Sequence, residues 1–163
     1  MLRTLVSAGL LFASLASATV VDDVRARIAV KDFAGGDRLV AAYQKSRGAT
    51  PELALAISWL GRGSLAAKNF DQADAYAAQA KRMSLALVGK GKLDSDPILP
   101  TALGAAIEVH GQTLHARRET AAALEYLGEE ARLYAKTSIV ERIRKNINLI
   151  SLEGKPAPAL EAR

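Results

Sequence analysis

Apolar side chains recur at intervals of three and four residues along most of the chain, which is the spacing of one face of an α-helix. The pattern opens with Val20, Val24 and Ile28, and it returns near the carboxyl end with Ile143 and Ile147. No segment alternates between apolar and polar residues for long enough to predict a strand. The sequence therefore predicts an all-α fold built from antiparallel helical hairpins.

Capping residues and helix breakers place the ends of these helices. The first helix is predicted to end near Gly35-Gly36, and a short second helix near Arg47-Gly48. Thr50-Pro51-Glu52 predicts a helix start, because Thr can cap free backbone donors and Pro suits the first helical position. Ser138 and Glu141 have the spacing of a capping box, which predicts the start of the last helix. The polar stretch 89–96 predicts the clearest loop.

Two of the predicted hairpins resemble each other. A shift of fifty residues gives seven identities among the 24 positions from 53 to 76, including Gly61 with Gly111 and Tyr76 with Tyr126. We interpret the two glycines as equivalent positions at which a neighbouring helix approaches closely. Generic amphipathic hairpins are the alternative, since Ala and Leu at helical spacing are first of all core residues.

The first of these hairpins resembles a tetratricopeptide repeat. The resemblance is carried by small residues such as Gly61, Ser64 and Ala77, and by the turn Asn69-Phe70-Asp71-Gln72-Ala73. It implies a right-handed stack of hairpins whose first helices line a groove that binds peptides or partner proteins. The interval of fifty residues departs from the period of about 34 residues in that family.

Four side chains on the predicted first helices are the candidate partner-binding residues. They are Trp59, Arg62, Glu108 and Gln112. No candidate catalytic residue, metal site or cofactor site accompanies them. His110 and His115 are five residues apart on one predicted helix, so they point in different directions and cannot share a metal as an i, i+4 pair could.

The amino terminus has the pattern of a secretory signal peptide. Arg3 precedes an uncharged apolar run from Leu5 to Leu15, and Ala16-Ser17-Ala18 has the small-x-small pattern of a cleavage site. Residues 1–18 are therefore predicted to be a signal peptide of an exported, periplasmic or secreted protein. A membrane anchor is the alternative, but Asp22-Asp23 close the apolar run before the roughly 20 residues that span a bilayer.

The carboxyl terminus resembles the lead-in to a thioredoxin-like redoxin domain. The residues that carry this likeness are Gly154-Lys155-Pro156-Ala157-Pro158, directly after the last helix. We accordingly divide the chain into a helical domain, 19–150, and an extended linker, 151–163. The resemblance implies the amino-terminal half of an exported bacterial redoxin protein, in which a further domain would reduce disulfides or remove peroxide.

Composition narrows the choice of activity and partner. The chain contains no cysteine, so it has no residue that can cycle between thiol and disulfide. Two readings therefore stay open: an interaction module, or one part of a thiol-disulfide oxidoreductase or peroxiredoxin whose catalytic domain lies beyond Arg163. The net charge of +5 is compatible with weak contact to an anionic surface. Only eight residues are aromatic, and nucleic acid is not an expected partner.

We expect expression of the full chain in a secreting host to yield mature protein that begins at Thr19. Intact-mass measurement and amino-terminal sequencing check this. Ala18→Leu removes the small residue before the predicted cleavage point and should leave residues 1–18 attached. If the unsubstituted protein from the secreting host retains Met1, the export prediction is contradicted.

Overall fold

The structure is a computed structural model that describes residues 19–153. The predicted signal peptide, 1–18, and the redoxin-like residues 154–163 lie outside the described residues. Within 19–153 the secondary structure is helical throughout, with no strand, which confirms the all-α prediction. A short 3₁₀ turn, Leu93–Ser95, precedes the fifth of seven helices. The helices are α1 Val20–Ala29, α2 Phe33–Arg47, α3 Pro51–Ala66, α4 Phe70–Val88, α5 Leu99–Ala116, α6 Thr120–Leu133 and α7 Val140–Leu152.

One turn geometry recurs three times. It joins α1 to α2, α3 to α4 and α5 to α6, each time over three residues, and the helices of each pair pack together. The middle residue lies in the left-handed region, with φ of 60° at Lys31, 60° at Lys68 and 70° at Arg118. We call each such pair a hairpin.

The same two backbone hydrogen bonds close every one of these turns. In the first turn, the amide of Lys31 donates to the carbonyl of Ile28, and the amide of Asp32 donates to the carbonyl of Arg27, both at 2.9 Å. The corresponding amides after α3 and after α5 donate to carbonyls three and five residues earlier, at 2.8 to 3.0 Å. Each turn thereby satisfies carbonyls that the helix end leaves free.

The first hairpin corrects the prediction that the first helix continues to Gly35-Gly36. It ends at Ala29, because Asp32 caps a new helix: its Oδ1 accepts a hydrogen bond from the amide of Gly35 at 2.8 Å. Gly35 and Gly36 therefore lie in the first turn of α2. In the second hairpin the cap is Asn69, whose side chain accepts a hydrogen bond from the amide of Gln72.

The start of the last helix is a second correction. Ser138 does not cap α7, which begins at Val140 without a side-chain cap. The Ser138 hydroxyl instead donates to Asp94 Oδ1 at 2.5 Å, and its amide donates to the same carboxylate. Ser138 thus ties the connection before α7 to the 3₁₀ turn. The predicted start at Thr50-Pro51-Glu52 is confirmed, with Thr50 accepting a hydrogen bond from the amide of Leu53.

The first helices of the hairpins form one row. Helix α1 contacts α3, α3 contacts α5, and α5 contacts α7, while α4 packs against both α3 and α5. The core has one cluster around α1 to α4 and another around α5 to α7. Side chains of α4 and α5 form a third cluster: Ala73, Ala77 and Val109. Helix α7 continues to Leu152, two residues past the predicted boundary at 150.

The two glycines that were predicted to be equivalent differ in their surroundings. A Cβ atom at Gly111 would lie 2.8 Å from Cγ of the fully buried Leu127 on α6. A Cβ atom at Gly61 would meet its nearest neighbours, Tyr76 Cβ and Val109 Cγ1, at 3.4 Å, which is van der Waals contact. Close approach that demands glycine is therefore found at Gly111, and at Gly61 there is room for one methyl group.

We expect Gly111→Ala to destabilise the protein by about 1–3 kcal/mol, because the added methyl group overpacks against Leu127. Gly61→Ala is the matched substitution and should stabilise by up to about 1 kcal/mol through helix propensity. Thermal melts of both variants measure the difference. Equal stability of the two variants would contradict the assignment of the close contact to Gly111, and Gly61→Leu should destabilise where Gly61→Ala does not.

Candidate functional site

The four predicted partner-binding residues lie on the solvent side of the first-helix row. On α3 the half-buried positions Leu55, Trp59 and Arg62 follow one another at spacings of four and three, whereas the residues between them are buried. On α5 the half-buried positions Glu108 and Gln112 are four residues apart. Helical spacing therefore places these side chains on one surface. We call this surface the first-helix face and define it by Arg25, Trp59, Arg62, Glu108, Gln112, Arg142 and Asn146.

Trp59 is flanked by two guanidinium groups. The Arg25 guanidinium lies 4.7 Å from the centroid of the indole ring, and that of Arg62 lies 5.0 Å from it. Both distances are within the range of cation–π attraction. The half-buried indole also packs against the core cluster of α1 to α4. Trp59 therefore connects α1 to α3 and holds Arg62 at the middle of the row.

Glu108 carries the central charge of the first-helix face. Its Oε2 accepts a hydrogen bond from Arg142 Nε at 2.6 Å, and Arg62 Nη2 lies 3.4 Å from both carboxylate oxygens. These three side chains are only 21–29% exposed. One carboxylate thus links α3, α5 and α7 and faces two guanidinium groups, which leaves an excess of positive charge.

Gln112 bonds to the last helix. Its Nε2 donates to Asn146 Oδ1 at 2.7 Å, and Asn146 Nδ2 donates to the carbonyl of Arg142 at 3.0 Å. Asn146 is 4% exposed. The structure therefore brings Trp59, Arg62, Glu108 and Gln112 together, and it adds Arg25, Arg142 and Asn146, which the sequence reasoning missed. For Arg142 and Asn146 the sequence did contain a signal, because a spacing of four residues places both on one face of α7.

A groove runs between α5 and α7 beside this network. Its charged half is about 580 Å³ and its apolar half about 540 Å³, and both halves share Gln112 and Leu149. The remaining lining of the charged half is Glu108, Glu141, Arg142, Lys145 and Asn146. The remaining lining of the apolar half is Leu65, His115, Ala116, Ile150, Leu152 and Glu153. We call the whole cleft the α5–α7 groove.

Large apolar side chains are exposed in this groove. Leu149 is 57% exposed and Leu152 is 56% exposed, and both lie on the last helix. At the rim, His115 Nδ1 lies 3.0 Å from Thr120 Oγ1, and its Nε2 is hydrogen-bonded to Glu153. The groove therefore offers apolar surface at the carboxyl end of α7 and charge toward its amino end.

A second polar network lies between α4, α5 and α6. Asp74 Oδ2 accepts a hydrogen bond from Arg117 Nη1 at 2.6 Å, and Asp74 Oδ1 lies 2.9 Å from His110 Nδ1. Close by, Lys81 Nζ donates to Glu130 at 2.5 Å and to the Tyr126 hydroxyl at 3.3 Å. A cavity of about 170 Å³ opens between these two groups and is lined by Ala77, Ala78, Lys81, Ala106, His110 and Tyr126.

Two tyrosines of the second network have pKa values that their surroundings raise. Burial raises the pKa of the Tyr126 hydroxyl well above its usual range, and the Glu130 carboxylate acts in the same direction. Burial also raises the pKa of Tyr134, again with Glu130 as a contributor. Tyr126 therefore keeps its proton at neutral pH while its oxygen accepts from Lys81. These contacts join three helices, and we assign the network a packing role.

The two histidines belong to different surroundings, as their spacing predicted. His110 faces Asp74 and Tyr126, whereas His115 faces Thr120 and Glu153. Among residues 19–153 no group of three or more His, Asp or Glu side chains is arranged to hold a metal ion. No helix in the same range has the length and apolar character that a membrane crossing requires.

No protein-family model matches the chain, and no curated protein and no solved structure is significantly similar to it.

We expect Glu108→Gln to destabilise the protein by about 1–2 kcal/mol, because Arg62 and Arg142 lose the carboxylate that offsets their mutual repulsion. Glu141→Gln is the matched control: its 75% exposed carboxylate pairs with Arg144, and the loss should stay below about 0.5 kcal/mol. Urea denaturation at low and high salt measures both variants. Equal losses would contradict the central role of Glu108.

Proposed function

We propose that this chain is an exported helical protein–protein interaction module that is accessory to a thioredoxin-like redoxin domain outside the chain. The observation that carries the proposal is the row of first helices, which presents one continuous face and an open groove. Neighbouring hairpins that stack in this way build extended surfaces suited to peptides and partner proteins. The first-helix face combines an indole with guanidinium groups, and tryptophan and arginine are residue types that contribute strongly to protein interfaces.

The repeated turn supports a tetratricopeptide-like, right-handed stack as the finer description of the fold. The three hairpins have a left-handed residue at the same position of the turn and the same two hydrogen bonds. They thus repeat one supersecondary unit, as repeat architectures do. Helix α7 would then be the first helix of a further unit. Under this proposal its exposed Leu149 and Leu152 mark the side on which another partner packs.

The proposed association with a redoxin rests on the sequence of the carboxyl terminus. Gly154-Lys155-Pro156-Ala157-Pro158 begins two residues after Leu152, the end of the last helix, and resembles a redoxin lead-in. The same residues favour the second candidate, in which the chain is part of a thiol-disulfide oxidoreductase or peroxiredoxin. Because the chain has no cysteine, either function needs thiol chemistry from elsewhere.

Export is compatible with the geometry at the start of α1. The Thr19 hydroxyl accepts a hydrogen bond from the amide of Asp22, and the Asp22 carboxylate faces the amide of Thr19. This capping box uses only residues that follow the predicted cleavage point. Cleavage after Ala18 would therefore leave the cap of the first helix in place.

Photo-crosslinking in the native host tests the proposed interaction. A photoreactive amino acid at position 62 or 112 should give an adduct that contains a redoxin domain with cysteine, identified by mass spectrometry. The same amino acid at position 133, where Leu133 is 70% exposed away from the first-helix face, is the control and should give none. Absence of a redoxin adduct from positions 62 and 112 would contradict the proposal. A redoxin sequence within the native polypeptide itself would select the oxidoreductase alternative.

A further inference from the structure

The α5–α7 groove changes character along its length. Toward the amino end of α7 it is lined by Glu108, Arg142 and Lys145, and toward the carboxyl end by leucine and isoleucine side chains. Gln112 and Leu149 line both halves, so the two halves adjoin each other. An occupant that fills it meets charge at one end and apolar surface at the other.

The charged half carries a surplus of positive charge. Glu108 faces both Arg62 and Arg142, and Glu141 pairs with Arg144 at 2.7 Å. Lys145 forms no ion pair with any residue that the structure describes. Among the lining residues, Arg142 and Lys145 balance Glu108 and Glu141. Arg62 and Arg144 pair with these two carboxylates from beside the groove, and they supply the surplus of two positive charges. A partner that is complementary to this half is therefore acidic.

Arg142 also has donors to spare. Its Nε bonds to Glu108, and within residues 19–153 its two Nη atoms make no hydrogen bond. Two parallel Nη donors suit a carboxylate oxygen pair. Arg142 can therefore keep Glu108 in place and still bind a carboxylate in the groove.

The apolar half needs a different kind of side chain. Leu149 and Leu152 each leave more than half of their surface exposed, and Leu65, Ala116 and Ile150 complete the wall. Covering such a patch with a leucine-sized side chain is favourable by about 1.5–3 kcal/mol when burial is complete, which is about tenfold or more in affinity. An acidic segment without apolar side chains would leave this half uncovered.

We infer that the α5–α7 groove binds a peptide segment of a partner protein whose carboxylates and leucine-type side chains are separated along its length. The carboxylates meet Arg142 and Lys145, and the apolar side chains meet Leu149 and Leu152. The lining from position 141 to 152 of α7 is about 18 Å long at 1.5 Å per residue, which corresponds to about twelve residues of helix or five to six of extended chain. This inference rests on the proposed function and adds the chemistry of the partner.

Binding of dye-labelled peptides to the purified chain tests this inference. The probes are twelve-residue peptides of one composition, with leucines in one half and glutamates in the other, made in both orders, and an interleaved peptide as control. Fluorescence anisotropy should show that one segregated order binds at least about tenfold more tightly than the interleaved peptide. A version with glutamine in place of glutamate should bind more weakly and lose the salt dependence.

Two variants and two matched controls locate the binding. Leu149→Asn should weaken the segregated peptide about tenfold, while Leu133→Asn on α6 should leave it unchanged. Lys145→Glu should weaken binding and reduce its salt dependence, while Lys136→Glu, outside the groove, should not. Circular dichroism melts confirm that each variant is folded.

Equal binding of segregated and interleaved peptides, or no binding at all, would overturn the inference. So would equal losses in the groove variants and their controls. These outcomes leave the proposed function standing if positions 62 and 112 still crosslink to a redoxin. If the peptides bind as expected but no redoxin adduct forms, the inference about the groove stands and the proposed function is contradicted.

Discussion

A left-handed residue inside each hairpin is the constraint on which the rest of the structure depends. At Lys31, Lys68 and Arg118 the chain adopts a positive φ, which costs a residue with a side chain about 1–2 kcal/mol. Two backbone hydrogen bonds per turn offset that cost and fix the direction of the second helix. Once each second helix is fixed, the first helices lie side by side, and the first-helix face follows from their spacing.

Much of the fold can be predicted from the sequence because its signals are local. The cap at Thr50 and the end of α4 at Val88 depend on neighbouring residues, and the structure has both. The boundary between the first two helices was misplaced because Gly35-Gly36 suggests a helix end, whereas Asp32 caps α2 through the amide of Gly35. Lys31-Asp32-Phe33 and Lys68-Asn69-Phe70 do carry a shared signal at the turn. Ser138 was misassigned because its partner, Asp94, is 44 residues away in sequence.

In the candidate site, too, the features that depend on local sequence could be predicted and those that depend on distant residues could not. Helical spacing was sufficient to place Trp59 and Arg62 on one face of α3, and Glu108 and Gln112 on one face of α5. Their partners on α1 and α7 depend on which helices become neighbours, and no spacing within one helix contains that information. The apolar stripe of α7 predicts only which side of this helix faces the core. Arg142 and Asn146 lie on its polar edge, and they bond to Glu108 and Gln112 on α5.

The turns between hairpins differ from those within them. The chain leaves α2 and α4 through Gly48 and Gly89, which have positive φ of 75° and 52°. Within the hairpins, the residue with positive φ is a lysine or an arginine. The left-handed residues of the three hairpins are separated by 37 and then 50 positions, yet the hydrogen bonds around them are the same. The repeated feature is therefore the turn inside each hairpin, and its recurrence does not follow a fixed number of residues. The connections between hairpins therefore differ in length, while the geometry of the turn within each hairpin stays the same.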